Sequence, residues 1–440
     1  MIKKIALLFI ITGAGHGFSI LALKFIAERG SATQLADIGE VESLIQFMIG
    51  LIGFGMQTDA IRNIALDQDW KQKLKSSQTA RITLSIVLML LSFFSYSNEM
   101  YLCFIVAPLL ASNCDYALYA RGFSITGAIV AFSRVFVPLL LGILFVYYWP
   151  QYILLSYLTS TIAIYLITNI FISFYLRIPV VNAPSISSLK LYWQAFPLGI
   201  ITLCYFFFGL GLQLFAQLFF TKEELVLSFL GLKFYLIYRG ALRVILQAFV
   251  SRMTDVAVCL SIDQISIILG LSFVGSVAIF PDTFISFFFG IQYKEQQSFF
   301  IFLALSALVF SICVSLWASA LLERKDVIFM KIAIAAVCVS IVLLIVMNQF
   351  SKKIEVITIS LLAGEIFFTL ALSLAFFNWS AIWSRISFLL VCSLALGIPS
   401  AARIIFNESL VTYLISFGVM GVLILSLSYK KFVLPLQTMN

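Results

Sequence analysis

One histidine, His16, stands in 440 residues, and no cluster of histidines, cysteines or carboxylates falls at metal-ligand spacing. The chain also lacks a P-loop and a nucleophile elbow, the turns that cradle a phosphate or present a reactive serine. No catalytic constellation emerges, no metal or other cofactor is implied, and ATP hydrolysis has no residues to run on. The chain therefore reads as something other than an enzyme. Seven cysteines (Cys103, Cys114, Cys204, Cys259, Cys313, Cys338 and Cys392) are scattered through apolar stretches with no C-x-x-C pair. That spacing excludes a redox motif or disulfide framework, and they read as small buried hydrophobes.

Charge is scarce as well. Only 11% of residues are charged, where soluble domains carry about a quarter, while 62% are hydrophobic and the mean hydropathy is +1.08. A soluble core cannot absorb that much apolar surface. A bilayer core about 30 Å thick takes about 20 apolar residues per helix, so the chain can supply a dozen or more spans. The longest polar intervals, roughly 66–81 and 176–190, are too short to fold as domains. The opening segment Ile5–Ala27 follows Lys3 and Lys4 as a secretory signal would, but its apolar stretch exceeds the roughly 7–15 residues of a signal core and reads as the first span.

Apolar runs punctuated by charges and turn residues predict an all-α, polytopic membrane protein of 12–14 transmembrane helices. Fourteen candidate spans cover roughly 5–27, 41–64, 80–97, 100–121, 124–148, 152–176, 191–220, 225–250, 262–290, 297–321, 327–348, 355–377, 383–403 and 409–430. Very short turns at 96–100 and 149–151 leave twelve as the alternative. Lysines and arginines accumulate in cytoplasmic loops. With the N-terminus inside, seventeen fall at cytoplasmic helix ends and loops (Lys3, Lys4, Arg62, Lys71, Lys73, Lys75, Arg81, Arg121, Arg177, Lys190, Arg252, Arg324, Lys325, Lys331, Arg385, Lys430 and Lys431), against six outside: Arg29, Lys222, Lys294, Lys352, Lys353 and Arg403. Both termini are thus expected in the cytoplasm. The net charge of +8 is then a topology signal with affinity for anionic inner-leaflet lipid, and nucleic acid need not be invoked.

The interval with Pro179 and Pro184 suits a linker between halves. It divides the chain into a six-helix lobe over 1–177, a cytoplasmic linker over 178–190, a second six-helix lobe over 191–377 and two additional helices over 378–440. Six-helix halves of this kind lie parallel, related by an axis along the membrane normal, as in many transporters.

Within the first span, Gly13-Ala14-Gly15-His16-Gly17 forms a small-residue face with one GxxxG spacing, which lets another helix approach closely. His16 falls near mid-membrane, where an imidazole either caps a buried carbonyl, the commoner role, or carries a proton. Ionisable residues inside apolar spans say more, because each costs about 2.5–3.5 kcal/mol at the bilayer centre and usually faces a wet cavity. They are Lys24, Asp59, Arg62, Asp115, Arg134, Lys233, Arg239, Arg243 and Glu365. Lys24, Arg62 and Arg243 lie near helix ends and can snorkel, and Asp59 can pair with Arg62 at i,i+3.

Arg134, Lys233, Arg239 and Glu365 lie about eight or more residues from any helix end, deeper than snorkelling reaches. Three cations and one carboxylate suit an anionic substrate, with arginine matched to phosphate oxygens, so Arg134, Lys233 and Arg239 are the expected substrate-binding cations. Glu365 is the first candidate for ion coupling, with Asp59 and His16 behind it. Pro108, Pro138, Pro197 and Pro399 lie within spans, where each removes a backbone hydrogen bond and invites a kink.

Three stretches resemble the polysaccharide transporter family, the Wzx-type O-antigen flippases, within the superfamily that also holds multidrug (MATE) exporters and the lipid II flippase. One is FMIGLIGFGMQ over Phe47–Gln57 followed by AIRNIA over Ala60–Ala65, after a glycine-bearing first helix. Another is YLIYRGA over Tyr235–Ala241, and the third is FPDTFISFFFGIQY over Phe280–Tyr293, an apolar run closed by FG-x-x-Y. A proline that this family would place near Arg252-Met253 is absent.

The resemblance implies a MATE-like bundle of two lobes around a central cavity, alternating between inward- and outward-open forms. It further implies a flippase for undecaprenyl-diphosphate-linked O-antigen or capsule repeat units in the bacterial inner membrane, working beside polysaccharide polymerase machinery. Cations would hold the diphosphate while the polyprenyl tail stays in membrane lipid. Two alternatives stand: a drug or metabolite antiporter of the same superfamily, which favours acidic cavity residues, and an O-antigen polymerase-type enzyme, which usually displays a long external loop that is not apparent here.

Overall fold

A computed structural model of the protein describes residues 2–56, 69–91, 106–249, 255–316, 325–376 and 379–428, and every regular element among them is helical. The chain packs as two units, Met1–Phe229 and Leu230–Asn440.

The first unit holds α1 (Ile2–Arg29), α2 (Ala32–Gly53), α3 (Trp70–Leu91), a short helix at 106–112, α4 (Asp115–Ala120), α5 (Ser124–Tyr148), α6 (Ile153–Leu176), α7 (Lys190–Gln194), α8 (Phe196–Phe206), α9 (Leu212–Ala216) and the start of α10 (Lys222–Phe249). Here α1 lies along α5, α5 along α6, and α2 against α8. The second unit takes the rest of α10, then α11 (Val256–Ile279), α12 (Pro281–Phe288), α13 (Gln297–Ile312), α14 (Asp326–Phe350), α15 (Glu355–Phe376), α16 (Trp379–Leu394), α17 (Gly397–Phe406) and α18 (Leu410–Ser428). Within it α13 packs against both α11 and α15, with α14 on α15 and α16 on α11.

Among the described residues ten helices are long and apolar enough to cross a membrane, the last being Ala381–Phe406, with a shorter apolar stretch at Leu410–Gly421. The other candidate spans, 41–64, 80–97 and 100–121, are helical over much of their described residues.

Helix ends sit where local chemistry puts them, and several differ from the hydropathy boundaries. Helix α2 begins nine residues before 41, at a reciprocal capping box in which Gln34 N donates to Ser31 Oγ at 3.2 Å and Ser31 N to Gln34 Oε1 at 3.0 Å. It ends at Phe54 and Gly55, both left-handed. Helix α3 starts ten residues before 80, because its polar first half is still good helix former and only its second half is apolar. The expected span 100–121 is interrupted at Asn113–Cys114, and 262–290 at Phe280, after which Pro281 opens α12 in the first-turn position that needs no N–H. Between α8 and α9 the chain passes through a π-turn over Phe207–Gly211 with non-helical angles at Phe208 and Gly209.

The small-residue face of α1 is narrower than expected. A Cβ at Gly15 would lie 3.0 Å from the Phe132 ring, whereas at Gly13 or Gly17 it would meet nothing within 4 Å. Among the described residues the GxxxG pair is therefore not a helix contact.

Candidate functional site

Among the described residues four arginines inside helices are buried, and three of them meet a carboxylate. On α5, Arg134 is 8% exposed. Its Nη1 lies 2.9 Å from Asp115 Oδ2, Nη2 donates to Asn169 Oδ1 at 3.0 Å, and Nε donates to Thr168 Oγ1 at 2.9 Å. The Tyr165 ring lies under the guanidinium, 4.4 Å from centroid to Cζ. Tyr165, Thr168 and Asn169 are spaced i, i+3, i+4, so one face of α6 receives the whole side chain. Asp115 opens α4, where a carboxylate also meets the positive end of the helix.

The second unit builds a looser pair. Arg239 on α10 is 3% exposed, its Nη1 is 3.5 Å from Glu365 Oε1 on α15, and the rings of Phe310 and Tyr235 lie 4.6 and 5.4 Å from its Cζ. One turn earlier on α10, Tyr235 donates its hydroxyl to the same Glu365 oxygen. Glu365 is wholly buried, and its Oε2 has no hydrogen-bond partner among the described residues. A buried carboxylate with one oxygen unused is under-satisfied, and such groups concentrate where a proton or ligand is handled.

A third pair was not legible. Asp263 on α11 and Arg385 on α16 are 0% and 2% exposed. Asp263 accepts from Ser315 N at 2.7 Å, Ser315 Oγ at 2.6 Å and Arg385 Nε at 2.7 Å, with Arg385 Nη2 at 2.6 Å. Both carboxylate oxygens are used. Hydropathy put Asp263 at a helix mouth and Arg385 among the cytoplasmic loop cations. The corrective signal was Asp255, whose side chain caps Ala257 N at 2.9 Å and starts α11 two turns before Asp263.

Arg81, also counted as a loop cation, is 1% exposed within α3. It donates to the carbonyls of Asn113 at 2.8 Å and Leu110 at 3.0 Å, closing the end of helix 106–112.

Of the expected site residues, the structure thus brings Arg239 and Glu365 together and gives Arg134 to Asp115 in the other unit. Lys233 is half-buried on α10, six residues before Arg239 and so off its face. His16 is half-buried on α1. Asp59 lies outside the described residues. No group of histidines, cysteines and carboxylates able to hold a metal occurs among the described residues.

No family model matches the chain, and no curated protein does. Solved structures do match. The lipid II flippase MurJ in an inward closed conformation superposes with a TM-score of 0.66 at 13% identity, over 97% of this chain and 100% of that one. A MATE in complex with MaL6 gives 0.60 at 14% identity over 88% and 96%, and the eukaryotic MATE transporter AtDTX14 gives 0.55 at 15% identity over 88% and 99%. The chain is an all-helical, polytopic membrane protein with the MATE and MurJ fold.

Proposed function

We propose that the protein is a flippase that moves an undecaprenyl-diphosphate-linked O-antigen or capsule repeat unit across the bacterial inner membrane by alternating access. One observation carries the reading: Arg134 and Arg239 are buried within apolar helices, with Lys233 half-buried on the same helix as Arg239, a costly arrangement that suits an anionic headgroup. Arginine forks match diphosphate oxygens, so a diphosphate entering either site competes with the resident carboxylate for a guanidinium. Glu365, with its unused oxygen, is assigned to ion coupling, and His16 and Asp59 are secondary candidates. In this reading the lobes are 1–177 and 191–377, joined by a cytoplasmic linker over 178–190 and followed by two further helices over 378–440, with both termini cytoplasmic. Polysaccharide polymerase machinery would act on the exported unit.

Deleting the gene should leave lipid-linked repeat units inside the cell and remove surface polysaccharide, while polymerisation of units supplied from outside persists. Accumulation of single-unit surface glycan instead would point to a polymerase. The likeness to MATE structures favours a second reading, a drug or metabolite antiporter. That reading expects unchanged surface polysaccharide on deletion and raised sensitivity to cationic compounds.

A further inference from the structure

Away from the buried pairs, α3, the end of α6 and the residues after it form a half-open pocket of about 190 Å³ lined by Lys71, Gln72, Lys75, Gln78, Arg177 and Pro179, together with Leu74 and Ile178. That is room for several water molecules or for a phosphate group. Lys71 and Lys75 are i,i+4 neighbours on α3, so both ammonium groups serve one face. Arg177 ends α6 in the left-handed conformation (φ 54°), which turns the chain sharply after the apolar span Pro150–Leu176.

Gln78 holds the floor in place: its amide donates to the carbonyls of Val180 at 2.9 Å and Ser112 at 3.3 Å, and its oxygen accepts from Asn182. Lys71 Nζ touches the Arg177 carbonyl, at 3.5 Å, and the Trp70 ring, and none of Lys71, Lys75 and Arg177 meets a carboxylate among the described residues. Three cations that meet no carboxylate among the described residues therefore line one half-open pocket where an apolar span ends. Headgroup phosphates are found where apolar spans end. Tyr175, against Phe123 and Phe171, adds an aromatic cluster at the same end of α6, as is common at membrane interfaces.

We propose that this cavity binds the phosphate of a lipid headgroup in the leaflet facing α3. The site is distinct from the buried arginines and does not depend on what the protein transports. Both an anionic bulk phospholipid and a polyprenyl diphosphate carry the required group. Phosphate oxygens would accept from Lys71, Lys75 and the Arg177 fork, and the acyl or prenyl chain would run down the apolar flank of α6.

The test uses the full chain in nanodiscs of phosphatidylcholine with graded phosphatidylglycerol, and native mass spectrometry of retained lipid. Wild type should retain phosphatidylglycerol over phosphatidylcholine. Affinity should fall roughly fivefold per cation removed in Lys71→Gln and Lys75→Gln, and weaken with salt. Because these side chains are exposed, the variants should elute and melt like wild type. Lys75→Arg, which keeps the charge, should retain the lipid. A second titration adds undecaprenyl diphosphate: displacement of phosphatidylglycerol in wild type but not in the double variant assigns the cavity to the polyprenyl diphosphate, and no displacement assigns it to bulk phospholipid. Equal retention of both phosphate lipids by wild type and the Lys71→Gln/Lys75→Gln variant would overturn the proposal.

Discussion

Glu365 and Asp263 are both wholly buried carboxylates facing an arginine, yet their oxygens are used differently. Asp263 has both oxygens engaged by Ser315 and Arg385, whereas Glu365 has Oε2 unmatched and a 3.5 Å ion pair. Removing one partner of a buried pair strands the other at about 3–5 kcal/mol, while replacing both with apolar residues of similar size is often neutral or stabilising. Single variants Arg239→Ala and Arg385→Ala should therefore both melt much earlier in detergent. The double variants Arg239→Met/Glu365→Leu and Arg385→Met/Asp263→Leu should both recover thermal stability. Only the second should export polysaccharide, because the Asp263 pair is a strut and the Glu365 pair is assigned to transport. Export by the Arg239→Met/Glu365→Leu protein at normal abundance would remove that pair from the mechanism.

At the scale of elements, the end of α2 rests on glycine. Gly55 adopts φ +72°, and a Cβ there would lie 2.5 Å from Gly199 N, while a Cβ on Gly199 would lie 2.2 Å from the Phe54 ring. Phe54 thus lies flat on the backbone of α8, against Tyr192 and Phe196. Gly55→Ala combines an unfavourable backbone conformation with overpacking and should destabilise the protein by about 2 kcal/mol or more. Gly50→Ala, whose Cβ would meet only Leu203 at 3.6 Å, should be tolerated. Thermal unfolding of the two variants side by side checks this, and equal melting would refute the packing argument.

Hydropathy found the helices because bilayer burial demands long apolar runs, and that demand is written residue by residue. It placed their ends poorly. The start of α2 is set by Ser31 and Gln34, and that of α11 by Asp255, through single hydrogen bonds that a windowed average does not register. Site residues show the same divide. Arg134, Arg239 and Glu365 stood out as charges in apolar runs, but their partners are chosen by tertiary packing. Asp115 was visible as a charge without its arginine, and Asp263 with Arg385 was hidden because both lie near apparent helix ends.

For the whole molecule, orientation rests on the distribution of lysine and arginine. Arg81 and Arg385 are buried within helices rather than in loops, and removing them from the cytoplasmic group still leaves fifteen cations against six. A fluorescent protein fused after Lys431 should accordingly light up in the cytoplasm, and alkaline phosphatase fused there should be inactive. The reverse pattern would invert the topology and with it the leaflet assigned to every loop.

The pairing of Arg134 with Asp115, Arg239 with Glu365 and Arg385 with Asp263 also bears on membrane voltage. A single charge carried through a potential of 100 mV involves about 2.3 kcal/mol. An arginine that moves together with its carboxylate carries no net charge and does no electrical work. With respect to these six residues, any rearrangement that keeps the pairs intact is electrically silent.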